Sequence, residues 1–488
     1  MTSPSDGHTM MAPDDPDSPM NWSLYTKTYT SLVAFLFAFQ VTFAATAYTA
    51  GVNDVAKEFH LQPIMEPYKA VVPLSVYLFG VFFAPIYTPH LSERFGRRPI
   101  YFIATFTSAL FIIGAGFSQT FASLVVCRFF AGLFGGPSVV LIEGTFADIW
   151  PAKYTNTYYA FIGFAQYTGA AFGPVILGFI VPVESWRWTQ FVTLMLQLAV
   201  LLVAIGVPET YQREIIRRRA RRAGTPHNLA PAASGTTFAS MAEVTFINPV
   251  KLTFTDPLVM SITIYVGFAF GVVFQWFILV PAVLSMTYNY TPQKIGLAFL
   301  SAVVGTFLAA VTSILIEQFA LRVFFRNKTP PLEHRLMSAM FGGLFLLASL
   351  FWIANTAAPN FNPLVPITGT GAYVFGNMLV LISLVPYIFD AFPPRGTLSA
   401  LTIMATFRLA MAGVVPLVIL QFVTNLHGGK WPLMIFGFIQ VPFMLLPFAL
   451  FFLGPKLRAS SRFSSGMKEW QLAGMTAHEM HNGMGGGA

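Results

Sequence analysis

Residues 127–150 read CRFFAGLFGGPSVVLIEGTFADIW, and residues 151–180 continue PAKYTNTYYAFIGFAQYTGAAFGPVILGFI. Each piece is long enough to cross a bilayer, which takes about 20 apolar residues. Yet the first holds Arg128 and Glu143, and the second holds Gly169, Gly173, Pro174 and Gly178. A charge within hydrocarbon costs about 3 kcal/mol or more, so Arg128 and Glu143 are functional candidates from the outset. Their separation corresponds to about 22 Å of helix at about 1.5 Å per residue, too far for a direct pair, although they fall within roughly 60° of each other around the axis. Arg128 is then expected in the outer half of its span and Glu143 near the cytoplasmic end.

The rest of the chain has the same character. Of 488 residues, 55% are hydrophobic and only 10% charged, and the mean hydropathy is +0.64. Such a composition marks an integral membrane protein. The net charge of +8 does not point to nucleic acid, because the basic residues lie in short clusters between apolar runs. Apolar runs predict twelve transmembrane helices near 28–49, 69–89, 99–117, 121–146, 157–180, 188–207, 258–284, 294–317, 335–355, 365–389, 397–424 and 431–453. With the N-terminus inside, most of the 28 basic residues fall on one side, including Arg94, Arg97, Arg98, the run from Arg213 to Arg222, Arg335 and Lys456. The outside keeps Lys57, Lys69, Arg187, Lys294 and Lys430, so both termini are expected in the cytoplasm. No cleavable signal peptide is visible in the polar first twenty residues, and the first span is expected to act as its own insertion signal.

The expected organisation is a tail (1–27), a six-helix bundle (28–207), a cytoplasmic linker (208–257), a second six-helix bundle (258–453) and a second tail (454–488). The linker opens with a short basic helix, which reads as topology more readily than as a lipid-binding patch. Sequons at Asn21, Asn289 and Asn327 are expected to stay unmodified. The single cysteine, Cys127, excludes an internal disulfide, and His478 with His481 in the tail makes only a weak case for a metal.

What is missing narrows the mechanism. There is no G-x-x-x-x-G-K-[ST] loop for a nucleotide and no TVGYG-like filter for a channel. No grouping of histidines or carboxylates has catalytic spacing, so an enzyme is not expected. Two six-span halves suit a secondary transporter that binds its cargo between them.

The loop after the second span reads HLSERFGRRPIYF, with Glu93, Arg94, Gly96, Arg97 and Arg98. Gly96 permits a tight turn, and the charges can bond neighbouring helix ends as a conformational latch. This loop resembles the signature G-x-L-x-[DE]-R-x-G-R-[RK] of the major facilitator superfamily, with Pro89 in place of the leading glycine, a change expected to affect packing of the second span. RFFAGLFGG, from Arg128, looks like the family's fourth-helix motif, whose arginine takes part in proton coupling, and Asp148 would accept from Arg94 or Arg97. GAAFGPVILG resembles the antiporter motif G-x-x-x-G-P-x-x-G-G of the fifth helix, with Gly169, Gly173, Pro174 and Gly178 as a hinge. Leu177 stands where that pattern has glycine, so close approach there is expected to be partly lost. PETY at 208–211 and PLEHRL at 331–336 narrow the resemblance to the fungal twelve-span drug:proton antiporter branch, over roughly residues 21–461.

The resemblance implies an all-α integral membrane protein with the major facilitator fold, exporting a drug, polyamine or secondary metabolite in exchange for protons. Proton-coupled uptake is the alternative. Arg128, Glu143 and Asp390 are the coupling candidates, and for Glu143 pairing with a latch arginine competes with proton carriage. Gln40, Gln166, Tyr167, Gln275, Trp276, Asn377 and Arg408 are candidates to line the substrate cavity, with Arg408 facing an anionic group or a carboxylate. Met404 replaces an asparagine common in the branch. No cofactor or metal is expected. Partners are the small-molecule substrate, protons and the bilayer, not nucleic acid, for a monomer in the plasma membrane or, alternatively, the vacuolar membrane.

Overall fold

The computed structural model describes residues 11, 14–61, 68–151, 154–224, 251, 254–323, 331–391, 394–426 and 428–460. Much of the expected linker, the sequon at Asn327 and the tail histidines His478 and His481 lie outside the described residues. In chain order the helices are α1 (Leu24–Ala47), α2 (Val52–Glu58), α3 (Val72–Phe82), α4 (Ala84–Phe95), α5 (Arg97–Gly116), α6 (Phe121–Gly135), α7 (Pro137–Ile149), α8 (Thr155–Ile180), α9 (Trp188–Val203) and α10 (Gln212–Arg222). The second half contains α11 (Pro257–Tyr288), α12 (Pro292–Ala298), α13 (Leu300–Val323), α14 (Leu336–Thr356), α15 (Leu364–Ala391), α16 (Pro394–Asn425) and α17 (Lys430–Ser460).

Eleven helical segments among the described residues are long and apolar enough to span a membrane. The α3–α4 pair, bent by 40°, supplies the twelfth and forms the second span. α6 with α7 forms the fourth span and α12 with α13 the eighth.

Local chemistry sets the ends. Ser23 caps α1 by accepting the Thr26 N–H, Thr120 and Ser123 form a reciprocal capping box on α6, and Asp256 accepts from Leu258 and Val259 at the start of α11. Such caps matter because the first four N–H groups of a helix have no partner within it. α11 stops at Asn289, which is left-handed with φ 50°. Large apolar side chains such as Ile103, Phe106, Leu202, Phe307, Leu315 and Phe452 face outward, as a lipid-bathed surface requires.

The two halves repeat each other's packing. The first span packs on the fifth and the seventh on the eleventh, while the second–fourth and third–fourth pairings recur as eighth–tenth and ninth–tenth. The halves meet through α8 against α12 and α13, and through α3 against α16. Pro89 sits inside α4, and the second span still packs tightly on the fourth, with Gly132 against the Tyr77 carbonyl.

Candidate functional site

Between the halves lies a cavity of about 270 Å³, walled by α4, α7, α8, α15 and α16. Glu143 and Arg408 line its deep end, and Ser92, Glu93, Arg97 and Tyr211 line its mouth. That mouth opens on the end of the bundle that carries the α4–α5 loop and α10, called here the basic face. At the opposite end the halves are in contact. A Cβ on Gly178 would meet the Pro292 carbonyl at 2.8 Å, one on Gly296 would meet the Pro174 carbonyl at 2.6 Å, and Gly413 sits against Phe79 and the Ser75 carbonyl.

Glu143 makes no ion pair with Arg94, Arg97 or Arg98 among the described residues, so the expected interfacial pairing gives way to a place in the cavity. Arg408 of α16 lines the same cavity. Arg408 is only 4% exposed, its Nε has no hydrogen-bond partner among the described residues, and its guanidinium lies 4.9 Å from the centre of the Phe270 ring. Phe270 in turn packs edge-on against Tyr167, whose hydroxyl donates to Asn377 Oδ1 across the two halves.

The other cavity candidates lie elsewhere. Gln40 donates to Thr105 Oγ1 at 3.0 Å within the first half, between α1 and α5. Trp276 stacks edge-on with Tyr373 and borders a small apolar void inside the second half. Gln166 and Gln275 are buried without lining the cavity. Tyr158, Tyr159 and Phe389, which the sequence reading passed over, do line it.

The fourth-span arginine is fully buried and holds three backbone carbonyls. Arg128 donates from Nη1 to Ala44 at 2.8 Å, from Nη2 to Ala45 at 3.0 Å and from Nε to Pro73 at 3.3 Å. The Tyr77 and Tyr48 rings flank it at 4.7 and 5.3 Å. Arg128 thus pins the first, second and fourth spans together, away from the cavity.

α8 passes unbroken through Pro174. Proline cannot donate to the carbonyl four residues back, which leaves Ala170 O without its helical partner. Thr46 Oγ1 of α1 fills that role at 2.7 Å. Close contact between α1 and α8 makes this possible: Gly169 faces Thr42 and Phe39, and a Cβ on Gly173 would sit 2.5 Å from Thr46 Oγ1. Leu177 is fully buried beside Phe43 and Ala47, so the expected loss of close approach is confined to its own turn.

On the basic face the signature loop forms a network. Arg97 Nη2 lies 3.0 Å from both oxygens of Asp148. Glu209, from the PETY stretch, accepts the N–H groups of Arg97 at 2.8 Å and Arg98 at 3.2 Å, and so caps α5 from the far side of the first half. Gly96 is required twice there: its φ is +85°, and a Cβ would sit 2.5 Å from Glu209 Oε2. Arg98 donates to the Ile205 carbonyl at 2.9 Å, Arg94 is exposed and its carbonyl accepts from Arg217, and Glu93 faces the cavity. Arg217 and Arg218 also bond Glu214 within α10, and the Arg217 bond to the Arg94 carbonyl closes that helix onto the loop.

In the second half Arg335, just before α14, lies 2.7 Å from Asp390 at the end of α15. Its Nη1 also donates to Asn156 Oδ1 of α8 at 2.6 Å. Asp390, expected as a proton carrier, is therefore held in an ion pair.

A family model described as Major Facilitator Superfamily matches residues 30–416. The chain belongs to the major facilitator superfamily. Over 92% of its length it is 25% identical to Polyamine transporter 4 of Saccharomyces cerevisiae, covering 72% of that protein. It is 29% identical to the MFS-type efflux pump MFS2 of Trichophyton rubrum, over 96% of this chain and 79% of that one. Among solved structures, the proton:xylose symporter XylE bound to 6-bromo-6-deoxy-D-glucose superposes with a TM-score of 0.63 at 15% identity, covering 88% of this chain and 96% of that one. The protein is a multi-pass membrane transporter of small molecules and not an enzyme, with the superfamily fold expected from its loop.

Proposed function

We propose that this transporter exports a small organic molecule in exchange for protons, as a monomer, with its basic face and both termini in the cytoplasm of a plasma-membrane protein. The observation that carries the reading is Glu143: a carboxylate without a hydrogen bond among the described residues, in a cavity that opens on the basic face and is shut at the other end. The relatedness to a fungal efflux pump supports the same direction.

In this cycle the cavity is the cytoplasm-facing state. Cargo enters past Glu93 and Tyr211 and reaches Glu143 and Arg408. The halves then rock about the α8 contacts, the cavity opens outward, cargo leaves and a proton takes its place on Glu143. Neutralising that carboxylate favours return, because the state with one charge fewer in the closed cavity is the less costly one. Arg128 serves the coupling by keeping three spans moving as one body, and Asp390 by holding Arg335. Transport in sealed vesicles under an imposed pH gradient tests this. Accumulation of cargo should vanish when a protonophore collapses the gradient; accumulation that survives would rule the exchange out.

A further inference from the structure

We infer that the cargo is dipolar, an aromatic-bodied molecule that carries a cationic nitrogen for Glu143 and a carboxylate or similar anion for Arg408. The inference rests on the proton-exchange reading and names the substrate class of that same site.

Charge placement carries the argument. The ionisable groups around Glu143 are Arg408 from α16, Tyr158 and Tyr159 from α8, Arg97 from α5, Glu93 from α4, and Tyr211. Arg97 gives its Nη2 to Asp148, and its Nε and Nη1 are buried without a partner among the described residues. At the deep end a cation in no ion pair and a carboxylate in none therefore face one cavity, and among the described residues that cation has an unbonded Nε in a site only 4% exposed.

Exchange demands that proton and cargo compete, and coupling between two bound species is reciprocal. An anion seated on Arg408 would add negative charge beside Glu143, so it would strengthen proton binding there and travel with the proton. That is symport. A cation at Glu143 does compete with the proton, but it brings positive charge up to a buried guanidinium where screening by water is weak. A polyamine, positive along its whole length, suffers this most. A dipole alone meets both needs: its cationic end displaces the proton from Glu143, and its anionic end supplies the acceptor that Arg408 lacks. Tyr158, Tyr159, Tyr211 and Phe389 form the walls, and their rings suit a flat body and stabilise a cationic nitrogen.

The test uses the full-length protein in lipid nanodiscs and four probes: phenylalanine, phenethylamine, 3-phenylpropionate and spermidine. The first three share one body and differ only in which charges they carry. Phenylalanine should bind at least about tenfold more tightly than each of the others, the smallest step expected of a buried charge contact, with a proton released on binding. Arg408→Gln should bring phenylalanine down to the level of phenethylamine, and Arg408→Lys should restore part of the difference; melting curves of both variants identify loss of fold. Phenethylamine or spermidine binding as tightly as phenylalanine would overturn the inference, as would a well-folded protein that binds none of the four. Spermidine driven by a proton gradient would remove the cargo class and leave the exchange standing. Phenylalanine bound with no proton release would do the reverse.

Discussion

The two halves carry matching ion pairs at the same place in their repeat, Arg97 with Asp148 and Arg335 with Asp390, each joining the start of one span to the end of the next. Their surroundings differ. Around Arg97 every further bond stays within the first half or its trailing helix: Glu209 caps α5, and Glu214 and Arg217 close α10 onto the loop. Arg335 instead reaches across to Asn156 of α8. One pair stiffens a half; the other ties the two halves together beside the cavity. The same pair in the two halves is thus put to two uses.

The largest effect that would break this comparison is expected at Glu209. Its side chain is 4% exposed and accepts from Arg97, Arg98, Thr210 and Tyr211. Glu209→Ala strands those N–H groups and should cost about 3 kcal/mol, the upper end for charged hydrogen bonds lost from a buried site. Thermal unfolding in detergent checks it, and the inter-half geometry should not change. If Glu209→Ala leaves the melting point unaltered, the loop network is not what stiffens the first half.

Asn156→Ala should act in the opposite way. It removes a bond to a charged group worth about 1.5 kcal/mol, enough to shift a two-state equilibrium about tenfold, while each half stays intact. Alkylation of a cysteine placed at Tyr158 should quicken by about that factor with little change in melting. Equal rates in both proteins would mean that the tie does not restrain the halves.

The smallest effect is expected at the N-terminal strap, where Arg219 bonds Asp15 at 2.8 and 2.9 Å and also bonds Asp17. Arg219 holds the Asp15 carboxyl below its ordinary value of 3.8. A lowered acid contributes its stability above the unfolded pKa and loses it as pH falls through the folded value, so this tie should be constant across the neutral range and fail only in strong acid. Being exposed, it should also weaken with salt. Asp15→Asn should therefore alter α10 proteolysis at low salt and leave transport unchanged.

Much of the fold could be read from the chain because the bilayer imposes a length and an apolar composition on every span. Arg128 was legible for the same reason: a charge stands out against hydrocarbon wherever it points. Placement around a helix was not. α1 is apolar nearly all round, so nothing local said whether Gln40 faced a cavity or Thr105. Glu209, Asn156 and Asn377 find partners more than a hundred residues away, and no spacing in the sequence encodes such contacts. PETY and PLEHRL did mark the right neighbourhoods, since Glu209 and Arg335 lie within them. Glu143 was legible as a charge among apolar residues, but that it would share a cavity with Arg408 depended on how distant spans pack.

The central claim is that Glu143 exchanges its proton for cargo, and Glu143→Gln separates that role from binding. In sealed vesicles the variant should still swap labelled for unlabelled cargo down its gradient while losing accumulation driven by a pH gradient. Gradient-driven accumulation at the wild-type rate in Glu143→Gln would contradict the account.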